Sequence, residues 1–104
     1  MVEEKSLIEC QEHIKKIISE YGSFMIGKKG CPYCIEAISI LKDIDVQYKY
    51  FDELEFPDVA SSARIMYDYR TFPIIVINGI FIGGCNELKA LVEEENKKKK
   101  IEEL

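Results

Sequence analysis

The chain has 104 residues, 47% of them apolar and 32% charged, the length of one domain with apolar content for an ordinary core. A net charge of −5 argues against a nucleic-acid surface, because phosphate binding needs a basic face. No apolar run approaches the roughly 20 residues that span a bilayer, and the acidic start MVEEKSLIE resembles neither a secretory signal nor a transit peptide. A cytoplasmic protein with no nucleic-acid or membrane partner is expected, its four cysteines reduced at rest.

In chain order, Leu7, Cys10, Ile14, Ile17 and Tyr21 recur at steps of three and four, with Ile18 beside them. This stripe predicts an amphipathic helix over 5–20 that Gly22 ends. Residues 23–26 (SFMI), bounded by glycine, read as a buried strand. After Pro32, the residues Cys34, Ile35, Ile38, Leu41 and Lys42 fit helical spacing, with proline suited to the first turn. Residues 46–51 (VQYKYF) read as a second strand, completing a βαβ unit whose crossover should be right-handed. A weaker helical pattern spans 57–68. Two short apolar runs, 74–77 and 80–82, flank Asn78-Gly79, a strong hairpin signal. Gly83 and Gly84 break the second arm, and a last helix starts near Asn86 with Leu88, Leu91 and Val92 on its inner face. Helices on both faces of a four-stranded mixed sheet can bury these apolar surfaces. A single domain over 1–104 is expected, with its core over about 22–96 and a charged helix end or tail over 97–104. There, Glu93, Glu94 and Glu95 stand four residues before Lys97, Lys98 and Lys99, a spacing that supports helix.

Between the first strand and its helix lies GKKGCPYC, residues 27–34. A zinc site would want four ligands, usually as two close pairs, and this chain has one CxxC and one histidine; no metal is expected. A structural disulfide is disfavoured in a reducing compartment. A redox dithiol has positive support. At a strand-to-helix junction, Cys31 faces the unpaired N–H groups and positive end of the helix, an environment that lowers a cysteine pKa to about 3.5–7.5 from about 8.5. Lys28 and Lys29 add positive charge. Cys31 would attack, and Cys34, one turn inward, would resolve. A cysteine hydrolase would need a general base, and His13, the lone histidine, falls on the polar side of the first helix as a solvated residue. Cys10 falls on the apolar stripe and reads as a buried small hydrophobe.

Taken with Thr71-Phe72-Pro73 and Gly83-Gly84-Cys85, the CPYC loop resembles the dithiol glutaredoxins, over about residues 24–92. The resemblance implies a thioredoxin-like α/β fold with strand order 2-1-3-4, an added N-terminal helix, a third strand antiparallel to the first, and a cis Phe72–Pro73 bond. It implies a glutathione groove beside Cys31. Lys28 would approach the glycyl carboxylate, Tyr33 would line the groove, and the Phe72 backbone, between Thr71 and Pro73, would pair with the cysteinyl part. Cys85 and Asn86 would open the final helix, whose N–H groups hold the γ-glutamyl carboxylate, while Arg70 adds a second positive charge. Glu87 stands where the family usually has aspartate facing the glutathione amino group. Phe72 replaces the usual valine, a glycine before the TxP element is absent, and small residues around Ala60–Ser62 replace a common polar contact, so a lower glutathione affinity is expected. Cys85 reads as packed, with secondary oxidation as the other reading.

The implied function is glutathione-dependent reduction of glutathione mixed disulfides and protein disulfides, with glutathione as co-substrate, glutathionylated or disulfide-containing proteins as partners, and a monomer as the acting form. Two alternatives stand beside it. One is a glutathione-ligated iron–sulfur carrier, against which Pro32 counts. The other is a thioredoxin-type protein reduced by a flavin enzyme, against which Lys28 and the GGC element count.

Overall fold

A computed structural model describes residues 6–102, with side chains as far as residue 97. Its elements are α1 (Leu7–Tyr21), β1 (Phe24–Gly27), α2 (Pro32–Asp43), β2 (Lys49–Asp52), α3 (Pro57–Tyr67), β3 (Ile74–Ile77), β4 (Ile80–Gly83) and α4 (Cys85–Glu102). The sheet order is β2-β1-β3-β4. β1 runs parallel to β2 and antiparallel to β3, and β3 antiparallel to β4. This is the thioredoxin-like arrangement the resemblance implies, with α1 added in front.

Strand periodicity divides the core between the two faces. Side chains alternate along a strand, so Phe24, Ile26, Ile74 and Val76 pack with Ile14, Ile17, Phe51 and Val59 under α1 and α3. Met25 and Ile75 point the other way, onto Cys34, Leu41 and Leu88 of α2 and α4. A sheet covered on both faces explains why β1 and β3 are unbroken apolar runs rather than alternating ones.

Local chemistry fixes the element ends. Ser6 caps α1 by accepting the Glu9 N–H at 3.1 Å, as a hydroxyl at a helix start should. The hairpin turn places Asn78 at φ 50° and Gly79 at φ 79°, the left-handed pair that a two-residue turn between twisted strands requires.

Several expectations are corrected. β2 begins at Lys49 rather than Val46. In α2 the buried positions are Cys34, Ala37 and Leu41, whereas Ile35 and Ile38 face solvent, because only the stripe continuing from Cys34 meets the sheet. His13 is not a solvated histidine: it is half-buried, and its Nδ1 lies 2.8 Å from the buried Ser62 Oγ, because α3 packs along that flank of α1. The weak pattern over 57–68 is a true helix whose inward residues, Val59, Ala60, Ser62 and Ala63, are too small to give a strong periodic signal. Lys5, where the first helix was expected to begin, lies outside the described residues, as do the Lys98 and Lys99 side chains.

Phe24 is fully buried and meets Phe51 edge-on, ring centroids 6.2 Å apart. Phe24→Ala should therefore destabilise the protein by about 3–5 kcal/mol in chemical denaturation, a transfer loss plus a cavity under α1. A loss near zero would mean that this face is not close-packed.

Candidate active site

β1 delivers the chain to a turn, Lys28–Gly30, from which α2 departs at Pro32. Cys31 is the helix cap: its backbone is extended, and its Sγ accepts the Cys34 N–H at 3.3 Å. Proline in the first turn removes one N–H that would otherwise lack a partner. The sulfur thus occupies the place a serine or aspartate oxygen holds in ordinary caps, at the positive end of a 12-residue helix. The Cys31 thiol also reaches the Phe72 carbonyl, 3.9 Å away.

The two sulfurs of the pair are unequal. Cys34 is 2% exposed and packs among Met25, Leu41 and Ile75. Burial, reinforced by its hydrogen bond with Cys31, pushes its thiol up to about 12. Cys34 therefore holds its proton at neutral pH and can act only on a sulfur already bound beside it.

Beside Cys31 opens a groove of about 590 Å³ with three walls. The first is the loop and helix start: Lys28, Gly30, Cys31, Pro32 and Tyr33. The second is Tyr69, Arg70, Thr71 and Phe72, ahead of Pro73, whose bond to Phe72 is cis. The third is the entry to α4: Gly84, Cys85, Asn86 and Glu87. Every residue expected from the sequence lines this groove except Cys34 and Pro73, which are buried. Lys29 is exposed and lines no part of it. Ala60 and Ser62 are buried and Ser61 faces a different cavity, with Arg64 and Arg70, so this segment contributes no groove contact.

Sequence reasoning missed two features. Tyr69 sits in a stretch with no periodic signal, yet its hydroxyl donates to Glu87 Oε1 at 2.7 Å. Glu36, two residues after Cys34, pairs with Lys89 and lies 3.6 Å from the Cys85 sulfur. Burial, then the neighbouring Glu36 carboxylate, pushes the Cys85 thiol up. This favours the packed reading of Cys85 over a reactive one.

The glutaredoxin family profile matches residues 24–82. Glutaredoxin 3 of Danio rerio is 36% identical over 91 residues, which are 82% of this chain and 28% of that protein. Glutaredoxin-1 of Saccharomyces cerevisiae is 35% identical over 92 residues, 82% of this chain and 84% of that protein. The chain spans less than two thirds of the length of the first of these and of several other curated relatives it matches. Among solved structures, the dithiolic glutaredoxin 2-C-Grx1 of Trypanosoma brucei brucei superposes with a TM-score of 0.69 at 28% identity, over 79% of this chain and 88% of that one.

The inequality of the two sulfurs has a direct readout. Relative to the ordinary value of 9.0, a pKa of about 12 leaves Cys34 about a thousandfold less thiolate at neutral pH. Limiting iodoacetamide followed by peptide mapping should label Cys31 first, with Cys34 labelling rising only as pH climbs well above 9. Equal labelling of the two near neutrality would contradict the assignment of attacking and resolving sulfurs.

Proposed function

The chain belongs to the glutaredoxin family, and from that premise we propose that it is a dithiol, glutathione-dependent thiol–disulfide oxidoreductase acting through Cys31 and Cys34. The observation that carries this reading is the Cys31 sulfur capping α2 on the floor of the groove, with the Cys34 N–H aimed at it at 3.3 Å. The thiolate is the attacking form in thiol–disulfide exchange, and the N–H bond holds this sulfur where a disulfide in the groove can meet it.

The groove suits the charges of glutathione, which carries two carboxylates and one ammonium. Lys28 and Arg70 supply positive charge on two walls, the start of α4 at Cys85 and Asn86 presents backbone N–H groups, and Glu87 supplies one carboxylate. A helix N-terminus is a ready receiver for a carboxylate. The Phe72 backbone flanks Cys31, where an extended peptide can lie, and Tyr33 closes the outer edge.

The chemistry balances without a further oxidant. The Cys31 thiolate attacks the glutathionyl sulfur of a mixed disulfide. A Cys31–glutathione disulfide forms, the substrate thiolate leaves, and it takes a proton from solvent. A glutathione thiolate then attacks the same glutathionyl sulfur, giving glutathione disulfide and regenerating the Cys31 thiolate. With a protein disulfide, the Cys31 thiolate attacks one substrate sulfur, the substrate S–S bond breaks, and the first leaving sulfur takes a proton from solvent. Cys34 then attacks Cys31, its proton passing to the second leaving sulfur, and an internal Cys31–Cys34 bond remains. The buried, protonated state of Cys34 disfavours that second route while glutathione is plentiful, so deglutathionylation is the main reaction.

A glutathione-coupled assay with glutathionylated peptide and with a protein disulfide tests this. Cys31→Ser should lose at least about a hundredfold in both reactions, since the sulfur that caps α2 in the groove is removed while Cys34 and Cys85 keep raised thiol pKa values. Cys34→Ser should keep deglutathionylation within about threefold and lose protein-disulfide reduction. Full activity of Cys31→Ser would end the proposal.

A further inference from the structure

Tyr69 belongs to the segment before the cis proline, and Glu87 to the first turn of α4. The hydrogen bond between them joins two groove walls that lie 18 residues apart in the chain. Glu87 Oε1 accepts the Tyr69 hydroxyl at 2.7 Å and the Gly84 N–H at 3.3 Å, and Glu87's own backbone N–H also faces the carboxylate; among the described residues no other residue engages Oε2. The phenol ring is itself held edge-on against Phe81, centroids 5.4 Å apart. The approach also depends on a missing side chain, because a Cβ on Gly84 would stand 2.6 Å from the phenol oxygen. Tyr69 and Gly84 are thus fitted around one carboxylate in a groove that also carries Lys28 and Arg70.

Protonation states agree with this arrangement. Burial pushes the Tyr69 phenol up, so it remains a donor at neutral pH. The Tyr69 hydrogen bond, with help from the Gly84 N–H, holds the Glu87 carboxyl below the usual carboxylate range, so it remains an anion.

Resting on the glutathione reading above, we infer that Tyr69 is a positioning residue that pre-sets the Glu87 carboxylate for the ammonium group of the glutathionyl moiety that Cys31 takes from a mixed disulfide. A free glutamate side chain loses rotamer freedom when it grips a ligand, and that loss comes out of the binding free energy. Anchored through Oε1 alone, Glu87 has lost that freedom beforehand and still offers Oε2. Competition between the phenol and the ammonium would instead need both carboxylate oxygens, or the ligand's own, to be occupied.

Steady-state kinetics on wild type, Tyr69→Phe, Glu87→Gln and the double variant test this, with a glutathionylated peptide as the varied acceptor at fixed glutathione. Phenylalanine keeps the ring contact with Phe81 and removes only the hydroxyl. Tyr69→Phe should raise the KM for the glutathionylated peptide about three- to tenfold, the cost of losing one charge-assisted hydrogen bond, with a smaller change in kcat. The double variant should be no worse than Glu87→Gln. With the same peptide carrying des-amino glutathione, which lacks the ammonium, wild type and Tyr69→Phe should share one KM. An unchanged or lowered KM in Tyr69→Phe, or an equal loss with the des-amino peptide, overturns the inference while leaving the enzyme assignment intact. Wild type inactive with glutathione would sink that assignment, and this inference with it.

Discussion

One hydrogen bond organises the site: the backbone N–H of Cys34 pointing at the sulfur of Cys31 across 3.3 Å. It exists because β1 ends where α2 begins, so the chain passes from strand to helix through the turn Lys28–Gly30, and the Cys34 N–H, shared with the Cys31 carbonyl at 3.1 Å, takes the Cys31 sulfur as its second acceptor. A sulfur placed there serves as the helix cap. The helix start gains an acceptor, and the acceptor gains the field of the helix. Pro32 belongs to the same solution, since it enters the first turn without demanding a donor partner.

Surroundings then separate the two cysteines, both of which are buried. Cys31 lines the groove and reaches the Phe72 carbonyl. Cys34, one turn further into α2, is surrounded by Met25, Leu41 and Ile75. Desolvation penalises a charged sulfur there, so the second thiol stays protonated and waits. The same helix therefore carries two sulfurs in unlike surroundings, and the difference arises from their position along the helix rather than from their chemistry.

The groove is assembled from three segments far apart in the chain, each delivered by an element end: the β1–α2 turn, the approach to β3, and the β4–α4 junction. The rule for α/β sheets that ligands bind where strands end and helices start applies here in miniature. Rigidity of the walls comes from cross-links between these segments. Tyr69 ties the approach to β3 to α4 through Glu87, and Lys89 of α4 ties back to Glu36 of α2. Cys85, facing Glu36 from the α4 entry, is spent on this packing, which is why a third cysteine near the site need not be a third reactive one.

Much of this was legible in the chain itself. Periodicity marks α1, the continuous apolar runs mark β1 and β3 as strands covered on both faces, and Asn78-Gly79 marks the hairpin; these are local signals, set by side chains within a few residues of one another. The CPYC loop likewise announces its own helix cap, because strand, proline and cysteine are adjacent. Other facts required the folded chain. His13 looked solvated until α3 was laid beside it, helical spacing left open which face of α2 meets the sheet until packing set it along the Cys34 stripe, and Tyr69 carried no pattern at all. Each of those depends on a partner 18 or more residues away, or on which side of a helix another layer happens to cover. Local spacing encodes an element and its face; only packing decides what that face touches.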